Sequence, residues 1–195
     1  MVEKVKMKEP TAAQYDNLFK RQIDKDAAQR KKNQWNRKGF YEIAKSFLPL
    51  SQDVFELGCG DGFFTNFLNE GQGYIGVDFS KVLINHGRKL YPNRVFIHAD
   101  IRDKSIQMLF KDDLTYVCLE TLEHIKNDLE VVESIPVGAD FIFSVPSRDN
   151  SFHVRYFKSF EEIMDRYKDY LEYEEWDEHE TSYNNFIRVM KTKRK

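Results

Sequence analysis

The nine residues from Val54 to Gly62, VFELGCGDG, constrain the fold of this chain more than any other segment. Apolar residues on either side of Glu56 predict a short buried strand, and the G-x-G-x-G pattern that follows predicts a tight loop. Helix-compatible residues then run from Phe63 to Leu68, so the loop leads to a helix N-terminus with free backbone N–H groups. A strand, a glycine loop and a helix in this order are typical of a ligand-binding turn in an α/β sheet.

The spacing of the glycines indicates which ligand the loop accepts. A dinucleotide-binding loop reads G-x-G-x-x-G, and its third glycine eases helix packing beside the pyrophosphate. Here Phe63 takes that third position and Gly62 comes one residue early. The carboxylate of Glu56 is a poor neighbour for a pyrophosphate and a good one for a cationic group. The loop therefore favours a nucleoside that carries an amino acid, and it argues against a dehydrogenase.

Strand and helix patterns alternate along the rest of the chain. Strands are predicted at 53–57, 74–78, 94–98, 114–119 and 139–145, and helices at 11–34, 62–69, 81–90, 122–134 and 159–168. The segments 171–176 and 186–190 are predicted to form an antiparallel C-terminal hairpin. This order predicts an α/β fold, a Rossmann-like seven-stranded mixed sheet that is mostly parallel and carries helices on both faces.

Acidic residues stand at the carboxyl ends of four predicted parallel strands: Glu56, Asp78, Asp100 and Glu120. In open sheets of this kind, ligands bind beyond those ends and next to the first strand. Carboxylates accept hydrogen bonds from hydroxyl and amino groups. The sequence therefore predicts a ligand that is rich in both.

Four segments together resemble the class I S-adenosylmethionine (SAM)-dependent methyltransferases. Val54–Gly62 is similar to motif I of that family, while Tyr74–Ser80, Val95–Ile101 and Leu114–Glu120 resemble its second, third and fourth strands. The four signals follow one another in the family's order, which makes them more specific than the glycine loop alone. The resemblance implies the fold predicted above, SAM as cofactor and methyl transfer as activity.

The resemblance also implies a role for the residues that follow each strand. Asp78 would hold the ribose hydroxyls, Asp100 would accept from the adenine amino group, and the backbone N–H of Ile101 would face the ring. Glu56 would approach the methionine ammonium or be satisfied by loop N–H groups, and Phe79 would pack on the adenine or belong to the core. The predicted cofactor contacts are Glu56, Gly58, Cys59, Gly60, Asp78, Phe79, Asp100, Ile101 and Glu120.

Two histidines after the fourth and fifth strands are the candidate catalytic residues. His124 ends the run Glu120-Thr121-Leu122-Glu123-His124, and His153 lies in the segment 147–157. Methyl transfer needs a base only when the acceptor must lose a proton, and an imidazole titrates near neutral pH. Either histidine is therefore a candidate base.

The run from Glu120 to His124 has a second interpretation as part of a divalent metal site. Two carboxylates and an imidazole at a strand end suit Mg²⁺ or Mn²⁺. The run resembles the ubiquinone-pathway O-methyltransferases and the small-RNA 3′-terminal 2′-O-methyltransferases, and the latter resemblance implies His153 as a fourth ligand. Ile125 stands where the RNA enzymes carry a second histidine. The preferred prediction is a site without metal, with Glu123 near a helix N-terminus and His124 at the pocket wall.

Composition and charge limit the class of partner. A net charge of −2 and 41% hydrophobic residues in 195 indicate a globular domain without a general affinity for polyanions. No apolar run reaches the roughly 18 residues that span a bilayer, the first residues lack the apolar core of a secretory signal, and Cys59 and Cys118 are the only cysteines. The expected location is the cytoplasm, with no membrane partner and an open oligomeric state.

The first 49 residues are predicted to form a helical arm that acts as a lid on a methyltransferase domain at 50–195. Tyr15, Trp35 and Arg37 would close over SAM or serve ordinary packing and surface roles. Eight basic residues between Lys20 and Lys38 form either a solvated helix face or a strip that guides an anionic substrate such as RNA.

The predicted function is the transfer of a methyl group from SAM to an oxygen, or a nitrogen, of a small-molecule acceptor, with release of S-adenosylhomocysteine (SAH). One alternative is an RNA or other nucleic-acid methyltransferase that uses the basic arm. The other is a SAM-binding partner subunit without catalysis of its own. No N-P-P-Y-type motif follows the fourth strand, which argues against methylation of DNA amines.

Overall fold

The computed structural model describes residues 2–3, 8–23, 38–181 and 185–195. The predicted lid residues Trp35 and Arg37, and most of the basic strip that begins at Lys20, lie outside these ranges. The helix predicted at 11–34 is described from Ala12 to Ile23.

A seven-stranded mixed sheet forms the centre of the protein, as predicted. In the described part of the chain the strands are β1 (Val2–Glu3), β2 (Asp53–Leu57), β3 (Tyr74–Asp78), β4 (Val95–His98), β5 (Leu114–Leu119), β6 (Asp140–Pro146), β7 (Arg155–Tyr156), β8 (Leu171–Glu180) and β9 (Phe186–Arg194). The order across the sheet is β4-β3-β2-β5-β6-β9-β8, in which β2 to β6 are parallel and β9 is antiparallel to both neighbours. The chain leaves β2 toward β3 on one side and later returns to β5 on the other, so the ligand-binding edge lies at β2.

Helices cover both faces of the sheet. The described helices are α1 (Ala12–Ile23), α2 (Lys38–Ser46), α3 (Lys81–Leu90), α4 (Lys104–Gln107), α5 (Asp128–Ser134) and α6 (Phe160–Tyr167), with 3₁₀ turns at Phe63–Phe67 and Leu122–His124. Successive residues of β2 point into two separate cores, Val54 into one and Phe55 into the other. Residues of α2 and α3 belong to the first core, and residues of α5 and α6 belong to the second.

Several segments depart from the prediction. The helix predicted at 62–69 is a 3₁₀ turn at Phe63–Phe67. The continuous helix expected at 122–134 is wrong, because a 3₁₀ turn ends at His124 and α5 begins only at Asp128. The Leu122 carbonyl accepts from the Ile125 N–H at 3.2 Å, as in a 3₁₀ turn, and both the Leu122 and the Ile125 carbonyls accept hydrogen bonds from Arg155. A second sheet of two strands also joins β1 to β7, which no sequence pattern indicated.

None of the helices in the described ranges combines the length and apolar character that crossing a membrane requires.

Candidate active site

One cavity of about 820 Å³ opens beside the carboxyl ends of the parallel strands. This volume lies in the range of small-molecule and cofactor sites. The predicted residues that line it are Glu56, Gly58, Cys59, Gly60, Asp78, Phe79, Asp100, Ile101, Glu120, Glu123, His124 and His153. The fold therefore brings every predicted site residue to a single cavity.

The carboxylate of Asp78 ties the glycine loop to the start of α3. Its Oδ2 accepts a hydrogen bond of 2.9 Å from the Gly60 N–H, and its Oδ1 accepts one of 2.7 Å from the Ser80 N–H. Gly58 has a φ of +77°, and a Cβ at this position would stand 2.4 Å from the Thr121 side chain. The loop thus requires glycine for both its conformation and its packing. The carboxylate keeps further lone pairs that can accept from ligand hydroxyls.

Glu56 lies beneath the loop with only 3% of its surface exposed. Burial raises the pKa of Glu56 to about 8, although a hydrogen bond from the Tyr74 hydroxyl opposes the shift. Burial likewise raises the pKa of Asp78 to about 6. Both acids are therefore easier to protonate than in water, and a cationic or hydroxyl-bearing ligand would favour their charged forms.

We expect SAH to bind more tightly as the pH rises from about 5 to about 8.5, because Asp78 and then Glu56 lose their protons in that window. The stability of the ligand-free protein should change in the opposite direction. Each acid has a folded pKa above its unfolded value, so its stabilising contribution is complete below the unfolded pKa and is lost as the pH rises through the folded one. Calorimetry with SAH across this range, and thermal melts without it, measure both trends. Glu56→Gln should remove the upper part of the binding trend, and an affinity that falls with rising pH would contradict the assignment.

Asp100 lies after β4 in a network that sequence patterns did not reveal. Arg102 donates to both carboxylate oxygens at 2.9 and 2.6 Å and pairs with Glu9 at 2.8 Å. Burial opposes ionisation, but the hydrogen bonds from Arg102 prevail and lower the pKa of Asp100. The Glu9 carboxylate also accepts from the Lys126 N–H at 3.2 Å. The contact between Asp100 and adenine stays a prediction, and Arg102 and Glu9 join the candidate site.

Helix α1 lies against the cavity and carries Tyr15 into it. The Tyr15 ring contacts Phe79 and His124, with centroid distances of 5.1 and 5.8 Å. The next residue, Asp16, accepts hydrogen bonds from the Ser80 hydroxyl at 2.6 Å and the Val82 N–H at 3.2 Å. This contact anchors α1 to the start of α3. Tyr15 therefore links the predicted adenine side of the cavity to the predicted catalytic side.

The two candidate catalytic histidines stand side by side, with ring centroids 4.8 Å apart. The Nδ1 atom of His124 lies 2.9 Å from the Phe152 carbonyl, and that of His153 lies 3.2 Å from the Arg148 carbonyl. Because a carbonyl oxygen only accepts, each Nδ1 must carry a proton, and Nε2 is then the acceptor atom whenever the ring is neutral. Burial lowers the pKa of His124, so its neutral form prevails at neutral pH.

Glu123 is the third member of this group and is fully buried. Among the described residues, no other residue donates a hydrogen bond to either of its carboxylate oxygens, and Oε1 lies 3.6 Å from Nε2 of His124. Burial, assisted by the charge of Glu120, raises the pKa of Glu123 well above its usual value. A buried carboxylate beside an imidazole lone pair calls for a proton or a cation between them.

Three of the four predicted metal ligands converge. Glu123, His124 and His153 each offer one ligand atom, and these atoms all lie within 4.8 Å of one another. Two imidazole nitrogens with backbone-bonded Nδ1 atoms and one carboxylate form a donor set that suits a divalent transition metal. Glu120 stands outside this group and accepts from the Ser144 hydroxyl at 3.1 Å.

Part of the chain matches known methyltransferases in sequence. The model of the family described as "Methyltransferase domain" matches residues 54–135. The protein named "Putative methyltransferase 235L" of Invertebrate iridescent virus 6 is 29% identical over 87 residues, which cover 40% of this chain. The aligned stretch spans only about a third, 33%, of the length of that viral relative.

Solved structures share the fold at low sequence identity. Magnesium protoporphyrin IX methyltransferase from Synechocystis PCC 6803 with bound SAH is 14% identical, with a TM-score of 0.65 over 82% of this chain and 84% of that one. Geranyl diphosphate C-methyltransferase from Streptomyces coelicolor A3(2) is 12% identical, with a TM-score of 0.60 over 82% and 79% of the two chains.

The chain therefore shares the fold of solved methyltransferases, and residues 54–135 match a methyltransferase family, in agreement with the predicted fold and family.

Proposed function

We propose that this chain transfers the methyl group of SAM to an oxygen of a small-molecule acceptor, with nitrogen as the second choice. The observation that carries the proposal is that the predicted SAM-binding residues and the group of Glu123, His124 and His153 line one cavity. An acceptor placed beside these histidines would lie next to the bound cofactor. Positioning of the two reactants supplies much of the rate in such a displacement.

The residues of the cavity suit each part of the reaction. Asp78 would hold the ribose hydroxyls, and Glu56 would stabilise the methionine ammonium. The acceptor oxygen forms a bond to the methyl carbon while the carbon–sulfur bond breaks, and the electron pair of that bond stays on the sulfur of SAH. The acceptor proton would pass to Nε2 of His124, which is neutral and accepts because Nδ1 donates to Phe152.

A divalent cation is the second way in which this cavity would activate an acceptor. Glu123, His124 and His153 would hold the ion, and the lack of donors to the buried Glu123 carboxylate within the described ranges supports that fit. A bound cation supplies Lewis acidity, which lowers the pKa of an acceptor hydroxyl. In that case His124 serves as a ligand, and another base takes the acceptor proton.

The shape of the site supports a small-molecule acceptor. The cavity is bounded by α1 through Tyr15, Leu18 and Phe19, which favours a small molecule over a polymer. The solved relatives named above act on a porphyrin and on a prenyl diphosphate according to their names, and both are small molecules. The lid function of residues 1–49 is part of this proposal.

The test is a transfer assay with SAM labelled in its methyl group and a panel of phenols, carboxylic acids, amines and short RNA oligonucleotides. Each acceptor is assayed with EDTA and with added Mn²⁺. We expect label on a hydroxyl-bearing small molecule and an equal amount of SAH. Label on RNA alone would favour the nucleic-acid alternative. SAH binding without turnover on any acceptor would favour the non-catalytic partner subunit. Loss of turnover in EDTA, restored by Mn²⁺, would select the metal-assisted route.

A further inference from the structure

A buried arginine outside the predicted site donates hydrogen bonds to the segment that carries Glu123 and His124. Arg155 lies on β7, and only 2% of its surface is exposed. Burial of a guanidinium is costly unless its charge is paired and its N–H groups are bonded. The contacts of the Arg155 guanidinium therefore indicate which part of the structure it stabilises.

The guanidinium of Arg155 donates to main-chain carbonyls on both sides of the Glu123–His124 pair. Nη1 donates to Leu122 at 2.7 Å and to Ile125, and Nη2 donates to Lys126 at 2.7 Å. The main chain of the neighbouring residue, Val154, donates to the Glu123 carbonyl at 2.8 Å. These bonds replace the helical pairing that the 3₁₀ turn leaves out, so β7 fixes the path of the turn.

The charge of Arg155 is met by Asp128 at the start of α5. The distance between Nη2 and the Asp128 Oδ1 is 3.2 Å. Asp128 is itself fully buried and also accepts from Arg166, at 2.5 and 2.8 Å, and from the Tyr167 hydroxyl at 2.6 Å. The arginine is thus held from α5 and α6, which makes it a rigid support for the turn.

We propose that Arg155 is a positioning residue that sets the orientation of His124 and Glu123 relative to His153. His153 stands two residues before Arg155 on the same segment, so a single short stretch of chain carries one histidine and holds the turn that carries the other. The inference rests on the proposed function only for its catalytic consequence, since the geometry of the two imidazoles is measurable without any acceptor.

The experiment compares Arg155→Met with Arg166→Met by NMR of the imidazole nitrogens. Arg166 binds the same Asp128 carboxylate through Nε and Nη2, whereas Arg155 supplies the donors to the Leu122 and Ile125 carbonyls. Arg166→Met is therefore a matched control for loss of a buried ion pair with Asp128. His124→Gln and His153→Gln assign the two signals. In the wild type and in Arg166→Met we expect both histidines with the proton on Nδ1. In Arg155→Met we expect His124 to populate both tautomers.

Function is followed in the same variants. We expect the affinity of Arg155→Met for SAH to stay within about twofold of the wild type, because the carbonyls that Arg155 binds belong to residues 122–126 and not to the glycine loop. Turnover with an accepted substrate should fall by about tenfold or more. Arg155→Lys, which retains a donor to the turn, should recover part of both the tautomer preference and the turnover, and it carries the test if Arg155→Met does not fold.

Wild-type tautomers in a folded Arg155→Met variant would overturn the proposal, and so would fully wild-type tautomers in Arg155→Lys if Arg155→Met does not fold. Changed tautomers in Arg166→Met as well would overturn it too, since the effect would then come from the ion pair alone. Changed tautomers only at Arg155, together with full turnover in His124→Gln, would support the positioning role and reject the proposed function of His124.

Discussion

Replacement of His124 by glutamine should slow methyl transfer by about 10²- to 10⁴-fold, the usual contribution of a positioned general base. Glutamine retains a donor toward the Phe152 carbonyl but has no basic atom in place of Nε2. The affinity for SAH should change by less than about twofold, because the proposed cofactor contacts lie on the glycine loop, Asp78 and Asp100. Steady-state transfer from labelled SAM gives the rate, and calorimetry with SAH gives the affinity.

The control for this variant is His98→Gln. The Nε2 atom of His98 lies 3.1 Å from the Phe79 carbonyl, so this substitution disturbs a hydrogen bond of the same kind at a residue that does not line the cavity. It should keep the wild-type rate. A rate in His124→Gln within about threefold of the wild type would show that His124 is neither base nor ligand.

The double variant of His124 and His153 distinguishes a general-base role of His124 from a shared role of both histidines as metal ligands. Two ligands of one cation act as a unit, so each single substitution should then cost about as much as both together. A general base acts on its own, so in that case His153→Gln should lower the rate of methyl transfer much less than His124→Gln does.

Replacement of Asp78 by alanine should weaken SAH binding by about 100-fold, which corresponds to about 2.7 kcal/mol. The substitution removes the proposed acceptor for the ribose hydroxyls and also the acceptor for the N–H groups of Gly60 and Ser80. The glycine loop would then lose its tie to α3, which adds to the loss of affinity. Calorimetric titration with SAH measures the effect.

Asp53→Ala is the matched control for Asp78→Ala. Asp53 also accepts a main-chain hydrogen bond, from Gly73 at 2.6 Å, but it stands at the start of β2, at the edge of the sheet away from the cavity. It should bind SAH like the wild type. Equal losses in the two variants would attribute the effect to general damage of the sheet rather than to the ribose site.

The sequence was sufficient to predict the sheet and the residues that line the cavity, because both depend on local patterns. Each predicted site acid lies at or near the carboxyl end of an apolar strand, and parallel strands place those ends at one edge. The same logic located His124 and His153, which follow β5 and β6. The glycine pattern fixed the position of the loop because positive φ angles at Gly58 and Gly60 are conformations that glycine adopts readily.

The supporting residues escaped prediction because their partners are distant along the chain. Asp16 is 64 positions from Ser80, and Glu9 is 117 positions from the Lys126 N–H that it accepts from. In sequence, these residues and Arg155 look like ordinary surface charges, since nothing nearby marks them as buried or paired. The break between Leu122–His124 and α5 was missed for the same reason, because it depends on Arg155, which lies about thirty residues further on.

Calorimetric titration of the wild-type protein with SAH, with NAD as the comparison ligand, tests the central claim most directly. The claim is that the cavity at the carboxyl ends of the strands is a SAM site built by the glycine loop, Glu56 and Asp78. We expect one SAH bound per chain with a dissociation constant on the order of micromolar and no binding of NAD. Binding of NAD, or a wild-type protein that does not bind SAH, would contradict the claim.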